Sequence, residues 1–441
     1  MTNLKIEGFL SISSASIDIK PLTVLIGPQA QGKSIIAKLA FYFETSVRRF
    51  LIDVVSGEIS VTLLRKSLIE RFIELFPREA WSSDPFSIIY TDDNLTITVT
   101  RDGSRKNASI NLDFSSEFKA EISQLSKTFK FELKEAAAKK SNNYPISLIK
   151  RNLVNSFFED KKYLYRQLSE HIFVPASRSF FANIEKNIFS LISTNFDIDP
   201  LMAEFGATLE QARLFNRFES RRKNTNSKKN SIEFLYAGWN HIIHGDYLND
   251  GKDDYIISSN RRVKLSNSSS GQQEVIPLLI ALSFDSTYAY GNQFGGCSYF
   301  IEEPEAHLFP FAQKSVAELL VRKLNEIKTA KITGEESPIN KIMVTTHSPY
   351  ILTAINNLVL AGQLISEAKI DKIKIEKIIP SGLPINPKDI SAYKINNGTA
   401  TSIINRKTKL IDTYLIDEIS EEFAKDFDSL LALSMTQINT K

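Results

Sequence analysis

"GPQAQGKS", Gly27–Ser34, is the stretch whose reading decides the fold. Before it stands "PLTVLI", an apolar run of strand character, and after it Ile35, Ile36, Leu39, Ala40 and Phe43 recur at helical spacing on one broad apolar face. A glycine, four residues, then Gly-Lys-Ser, set between a strand and a helix, is the arrangement that wraps phosphate groups in backbone N–H donors. Lys33 reaches the β and γ oxygens and the Ser34 hydroxyl faces magnesium. The expected nucleotide contacts run over Gly27, Gln29, Gln31, Gly32, Lys33, Ser34 and Ile35. The bland alternative is a chance match on an ordinary strand–helix turn, but the flanking strand and helix are the context the motif requires.

Working outward, "CSYFIEEPEAHLFP" (Cys297–Pro310) is an apolar strand that ends in adjacent carboxylates. Such a pair divides labour: Glu302 holds magnesium and its waters, and Glu303 polarises the attacking water. By itself the pair reads equally well as the acidic start of a solvated helix. "SNSSSGQQEVIPLLIAL" (Ser266–Leu282) is a Ser/Gly turn opening an apolar helix. It is either an anion site or simply a serine-capped helix start. "VTTHSPYIL" (Val344–Leu352) sets His347 just beyond another apolar strand; a lone histidine there is more often structural than catalytic.

Composition bounds the rest. The chain has 441 residues, 42% of them hydrophobic and 24% charged, enough for one large core or two linked ones. A net charge of +3 supplies no global field for nucleic acid, so any such contact must come from a local basic patch. One cysteine, Cys297, excludes an intramolecular disulfide framework or a cysteine cluster for zinc and reads as packed. The charged, alternating N-terminus lacks a signal-peptide core. The longest apolar runs are about half of the ~20 residues that span a bilayer. The expectation is a cytoplasmic protein without membrane contact.

Along the chain, Leu4, Ile6, Phe9, Ile17 and Ile19 alternate as short strands, and Leu95/Ile97/Val99 with Ile110/Leu112/Phe114 predict an antiparallel hairpin about "RDGSRKN". Phe118, Ile122, Leu125, Phe129 and Leu133 begin helical text, with about two further helices between Ile184 and Phe218. The polar stretch "ESRRKNTNSKKNS" (Glu219–Ser231) reads as an exposed loop. Its Arg221, Arg222, Lys223, Lys228 and Lys229 are candidates to touch a nucleic-acid backbone, or simply solvated. The α/β texture then returns. Three regions are expected: an N-terminal lobe over 1–114, a helical insertion over 115–230, and a C-terminal lobe over 231–441. The two ends share one sheet.

Taken together in this order, the four motifs resemble Walker A, signature, Walker B and switch histidine of the ABC-type ATPase heads of SMC and RecF repair proteins. That resemblance implies an α/β fold: a P-loop head with a mixed sheet and an antiparallel β subdomain, interrupted by the helical insertion. It also implies ATP and Mg2+ as cofactors. Ser269, Ser270, Gly271 and Gln272 stand where those heads carry Ser-Gly-Gly-Gln, Ser270 replacing the first glycine. Glu303 matches the catalytic glutamate and His347 the γ-phosphate switch. "EEPEAHL", "THSPYIL" and "FVPASR" (Phe173–Arg178) are similar to the overcoming-lysogenization-defect (OLD) branch, and Glu302 stands where most heads have aspartate. The glutamine loop of transporter-like heads has no evident match.

OLD proteins usually continue into a Toprim nuclease. Here His347 is followed only by "IDKIKIEKIIP", "ISAYKINNGTATSII" and an acidic helical tail, "TYLIDEISEEFAKDFDSLLAL". The arrangement resembles the stand-alone ATPase subunits of bacterial antiphage systems, the AriA family of PARIS and the PtuA family of Septu. That implies a sensor or scaffold that holds a separate nuclease or toxin effector and responds to a phage-encoded trigger. A signature acts on ATP held by another head, so the resemblance implies a homo-oligomer, at least a dimer, with a hexamer open. The competing expectation is a DNA-binding ATPase of RecF or SMC type that handles DNA in repair or in chromosomes.

Overall fold

The computed structural model describes residues 2–412 apart from 83, 94, 104–108, 140–144, 146–148, 151, 152, 155, 158–168, 184–197, 222–238, 284–295, 326–339, 368 and 369. An eleven-stranded mixed sheet organises it. The strands are β1 (Thr2–Phe9), β2 (Ile12–Ile19), β3 (Leu22–Ile26), β4 (Phe86–Asp92), β5 (Leu95–Arg101), β6 (Ile110–Phe114), β7 (Glu170–Val174), β11 (Cys297–Glu302), β12 (Lys341–Thr346), β13 (Ile390–Asn396) and β14 (Thr399–Ser402). A separate small antiparallel sheet holds β8 (Asp246–Asn249), β9 (Asp254–Ser258) and β10 (Arg261–Lys264).

The large sheet runs β6-β5-β4-β1-β2-β14-β13-β3-β12-β11-β7. From β6 to β2 every pair is antiparallel. From β13 through β3, β12 and β11 to β7 every pair is parallel. Strands from the first 114 residues and from residues 297–402 therefore lie in one sheet, with the antiparallel lobe beside the parallel one. Within the stretch read as helical, Glu170–Val174 instead forms β7, the outermost parallel strand. Its "HIFV" run is too short for a helix and is buried by pairing with β11.

Helices cover both faces. The principal ones are α1 (Lys33–Arg49), α2 (Val61–Leu75), α3 (Ser116–Lys139), α4 (Pro200–Arg221), α5 (Ser270–Ser283), α6 (Pro310–Leu324) and α7 (Pro349–Ser366). Alternation along the strands divides two apolar layers. Leu25, Phe300 and Met343 share one core with Ile36, Leu39 and Phe43 of α1. Val24, Ile301 and Val344 share the other with Leu279 of α5, Val316 of α6 and Ile355 of α7. Cys297 is buried in that second layer, as a packed residue should be. The expected hairpin is present as β5 and β6, and β4 extends it into a three-stranded meander.

One helix of the expected pair after Ile184 is present as α4; residues 184–197 lie outside the described residues, as does most of the helical text from 147 to 168. The chain from 413 to 441, which includes the acidic tail, is likewise outside them. Among the described residues no helix is long and apolar enough to cross a membrane.

Candidate functional site

Register brings the chemistry to one line. β3 lies between β12 and β13, with Ile26 level with Thr346 on one side and Lys394 on the other. β11 runs beside β12, with Glu302 level with Thr345, and β7 beside β11, with Val174 level with Ile301. All these strands are parallel, so Gly27, His347, Glu303 and Pro175 leave the sheet at the same carboxyl edge. That is where open α/β sheets bind ligands.

The phosphate loop is built from backbone that only glycine adopts freely. Gly27 has φ 156 and Gly32 has φ 98. A β-carbon on Gly27 would stand 2.1 Å from the Ile395 carbonyl oxygen, and one on Gly32 2.3 Å from Ile12 Cδ1. Lys33 and Ser34 open α1, so their backbone N–H groups belong to a helix N-terminus. Lys33 Nζ donates to the carbonyls of Gly27 (2.8 Å) and Pro28 (2.7 Å). Burial lowers the Lys33 pKa, while the charges of Glu303 and Glu305 pull it back up, so both carboxylates act on the lysine. The Ser34 side of the first turn is exposed, as is Gln29, and Ile35 packs against the core. The Gln31 side chain accepts from Asn397 N at 2.7 Å, tying the loop to the β13–β14 turn.

Two acids at the end of β11 have different surroundings. Glu302 is 6% exposed; its Oε2 accepts from Ala176 N at 3.2 Å, and its Oε1 is buried without a hydrogen-bond partner. Glu303 is partly exposed, sits at φ 42, and its Oε1 lies 3.2 Å from His347 Nε2. Of the acid pair, Glu303 is thus in contact with His347, and Glu302 bonds to Ala176 N instead. A third acid was not singled out. Glu305 Oε1 accepts from Thr346 Oγ1 (2.6 Å) and from His347 N (2.7 Å), fixing the chain that carries the histidine. Its signal was the third carboxylate of "EEPEAH".

The serine turn forms a reciprocal helix cap. Ser269 Oγ accepts weakly from Gln272 N (3.4 Å), and Gln272 Oε1 accepts from Ser269 N (3.2 Å) and Ser269 Oγ (3.0 Å). Gln272 Nε2 donates to the Ile243 carbonyl at 2.6 Å. Ser269 and Ser270 are exposed, and Gly271 is buried where a β-carbon would meet the His307 carbonyl oxygen at 2.6 Å. The turn therefore lies against the segment that follows Glu303. Arg178, noted in "FVPASR" only as part of a likeness, is wholly buried at the same place.

Of the basic loop, Arg221 is the last residue of α4, and Arg222, Lys223, Lys228 and Lys229 lie outside the described residues.

A family model described as an AAA ATPase domain matches residues 1–352. The chain belongs to that family. The matched AAA ATPase domain takes in the phosphate loop, the serine turn, the acid pair and His347, and ends before β13. Among solved structures, the SMC head domain from Thermotoga maritima is similar at TM-score 0.34 and 10% identity, covering 91% of this chain and 97% of that one. The recombination mediator protein RecF, in a structure described as "RecF-ATPrS in RecFOR pathway", is similar at TM-score 0.27 and 11% identity, with the same 91% and 97% covered. No curated protein sequence matches.

An ATPase domain implies ATP and usually magnesium, and the residues present fit that ion. Glu302 offers one unpaired, buried carboxylate oxygen at the strand end, and Ser34 an exposed hydroxyl at the start of α1. Among the described residues no group of three or more His, Cys, Asp or Glu is placed to hold a metal.

Proposed function

We propose that this AAA ATPase hydrolyses ATP at the carboxyl edge of its parallel strands, in the service of a larger assembly. The observation that carries the reading is the contact between Glu303 and His347 at an edge where Lys33 feels the charge of Glu303. Lys33 and the loop N–H groups would hold the β and γ phosphates. Ser34 and Glu302 would hold magnesium, which when bound neutralises charge on the transferred phosphoryl group. Glu303, partly exposed, orients and deprotonates the attacking water, and His347 fixes the direction of that carboxylate. We assign the water to Glu303 rather than Glu302 because Glu302 is buried and its Oε2 accepts from Ala176 N.

Exposed Ser269 and Ser270 at the serine turn support a joint with the ATP of another copy, and hence a homo-oligomer that closes on ATP and opens on hydrolysis. We take the assembly to be an antiphage complex in which the chain holds a separate nuclease or toxin effector and releases or activates it on a phage-derived signal. The support is the likeness of "EEPEAHL" and "THSPYIL" to the OLD branch.

Glu303→Gln keeps the size and hydrogen bonding of the side chain but not its basicity. It should bind ATP normally and lower turnover by roughly 10^2- to 10^4-fold, measured by phosphate release, and the trapped form should copurify with the effector. Turnover at the wild-type rate would remove Glu303 as the base. Salt-dependent, ATP-dependent duplex DNA binding with no protein partner would favour the DNA-handling reading instead.

A further inference from the structure

Arg178 has no part in the steps above, yet its side chain is 0% exposed beneath them. Nε donates to the Glu274 carbonyl at 3.1 Å; Nη1 donates to the carbonyls of Pro175 (2.9 Å) and Glu302 (2.5 Å); Nη2 donates to the Glu303 carbonyl at 2.9 Å. One planar fork therefore joins three segments: the turn after β7, the end of β11 and α5 at Glu274, two residues beyond the serine turn. The nearest carboxylate contact, Glu274 Oε2, is 3.8 Å from Nε, so the donors are spent on backbone carbonyls rather than on the acid.

Two of those carbonyls bracket the Cα of Glu303. Its φ of 42 is left-handed, which a glutamate holds only where the surroundings over-determine it. The Glu303 carbonyl also accepts from Ala306 N at 3.1 Å, and Leu308 N donates to the Glu305 carbonyl at 3.0 Å. The tight turn so formed delivers the His307 carbonyl against Gly271. The capped serine turn and the acidic turn are thus held together twice, once by Arg178 and once by that close approach.

We propose that Arg178 is a positioning residue that makes the Ser269–Gln272 turn and the Glu303 backbone one rigid body, so that moving the serine turn re-aims the Glu303 carboxylate. The proposal rests on the reading of Glu303 as the base. Lysine keeps the charge but not the planar fork, and cannot reach four carbonyls in one geometry.

The experiment compares wild type, Arg178→Lys, Arg178→Met, Glu303→Gln and the double variant Arg178→Lys/Glu303→Gln. It measures kcat per folded site, with ATP affinity read by titration. Both Arg178 variants should lose roughly 10- to 100-fold in kcat while ATP affinity stays within about twofold. The double variant should be no slower than Glu303→Gln alone, because both changes act through one group. A merely structural role predicts lower thermal stability with unaltered kcat in the folded fraction. That result, or an equal loss in both backgrounds, overturns the proposal. If Glu303→Gln turns over like wild type, the base assignment falls and the proposal with it; if Glu303→Gln is inactive and Arg178→Lys is normal, only the proposal falls. Should the Arg178 variants not fold, hydrogen exchange on the wild-type chain decides. Amides of Ala306 and Leu308 should slow together with the first turn of α5 when a non-hydrolysable ATP analogue is added, and slowing in α5 alone overturns the coupling.

Discussion

The two glycine turns of the site, Gly27–Ser34 and Ser269–Gln272, use glycine for different reasons. In the phosphate loop Gly27 and Gly32 both hold positive φ, and the backbone of β13 leaves no room for a side chain at Gly27. In the serine turn Gly271 lies in the first turn of a helix, where any residue is at ease. What it needs is space, since the His307 carbonyl oxygen would stand 2.6 Å from a β-carbon. One turn is demanding in conformation and in volume, the other in volume alone. The difference extends to the neighbouring residue: Ser270 needs no glycine, because its position is helical and exposed.

The strongest way to break this contrast is Gly27→Ala. Strain at positive φ costs about 1–3 kcal/mol, and the clash is with backbone that cannot turn aside. The variant should lose ATP binding in calorimetry and melt at a lower temperature. Wild-type affinity would show that the loop is not built on that residue's conformation. A smaller effect is expected at Gly271→Ala. Alanine in a helix contributes about 0.5–1 kcal/mol over glycine, which offsets part of the crowding against His307. Thermal stability should therefore fall by less than in Gly27→Ala and ATP affinity hold, while kcat falls by roughly tenfold because the acidic turn is pushed aside. Unchanged kcat would mean that the two turns touch without consequence.

Much of this was legible in sequence because it depends on local pattern. Alternation gave the antiparallel strands, and strand–loop–helix context gave the phosphate loop. An apolar strand ending in Glu302 and Glu303 gave the acid pair, but that His347, beyond a second strand, lies 3.2 Å from Glu303 was not read from the sequence. What escaped reading was set by contacts between distant segments. β7 fell inside the stretch expected as a helical insertion, and only its pairing with β11 marks it as a strand. Glu305 was one acid among three until Thr346 and His347 N were seen to donate to it. Arg178 had no periodicity to mark it; its role lies in carbonyls about 95 to 125 positions away in sequence, as the separations from Glu274, Glu302 and Glu303 record. The small sheet of β8, β9 and β10 was missed because its strands are short and mostly half-exposed.

The smallest expected effect separates backbone from side chain within the phosphate loop. Sequence placed Gln31 among the ATP contacts, but its amide oxygen accepts from Asn397 N, a bond between the loop and the β13–β14 turn. Gln31→Ala removes that bond and leaves Asn397 N free to take water at an exposed site, so the loss should be about 0.5–1.5 kcal/mol of stability. The Gln31 N–H, which the substitution leaves in place, is the part of the residue available to phosphate. Urea unfolding should register the loss, while KM for ATP stays within about threefold of wild type. A tenfold or larger rise in KM would instead place the Gln31 side chain on the nucleotide. The β13–β14 turn would then be only a resting partner for it, and volume and conformation would no longer be all that the first glycine turn contributes to the site.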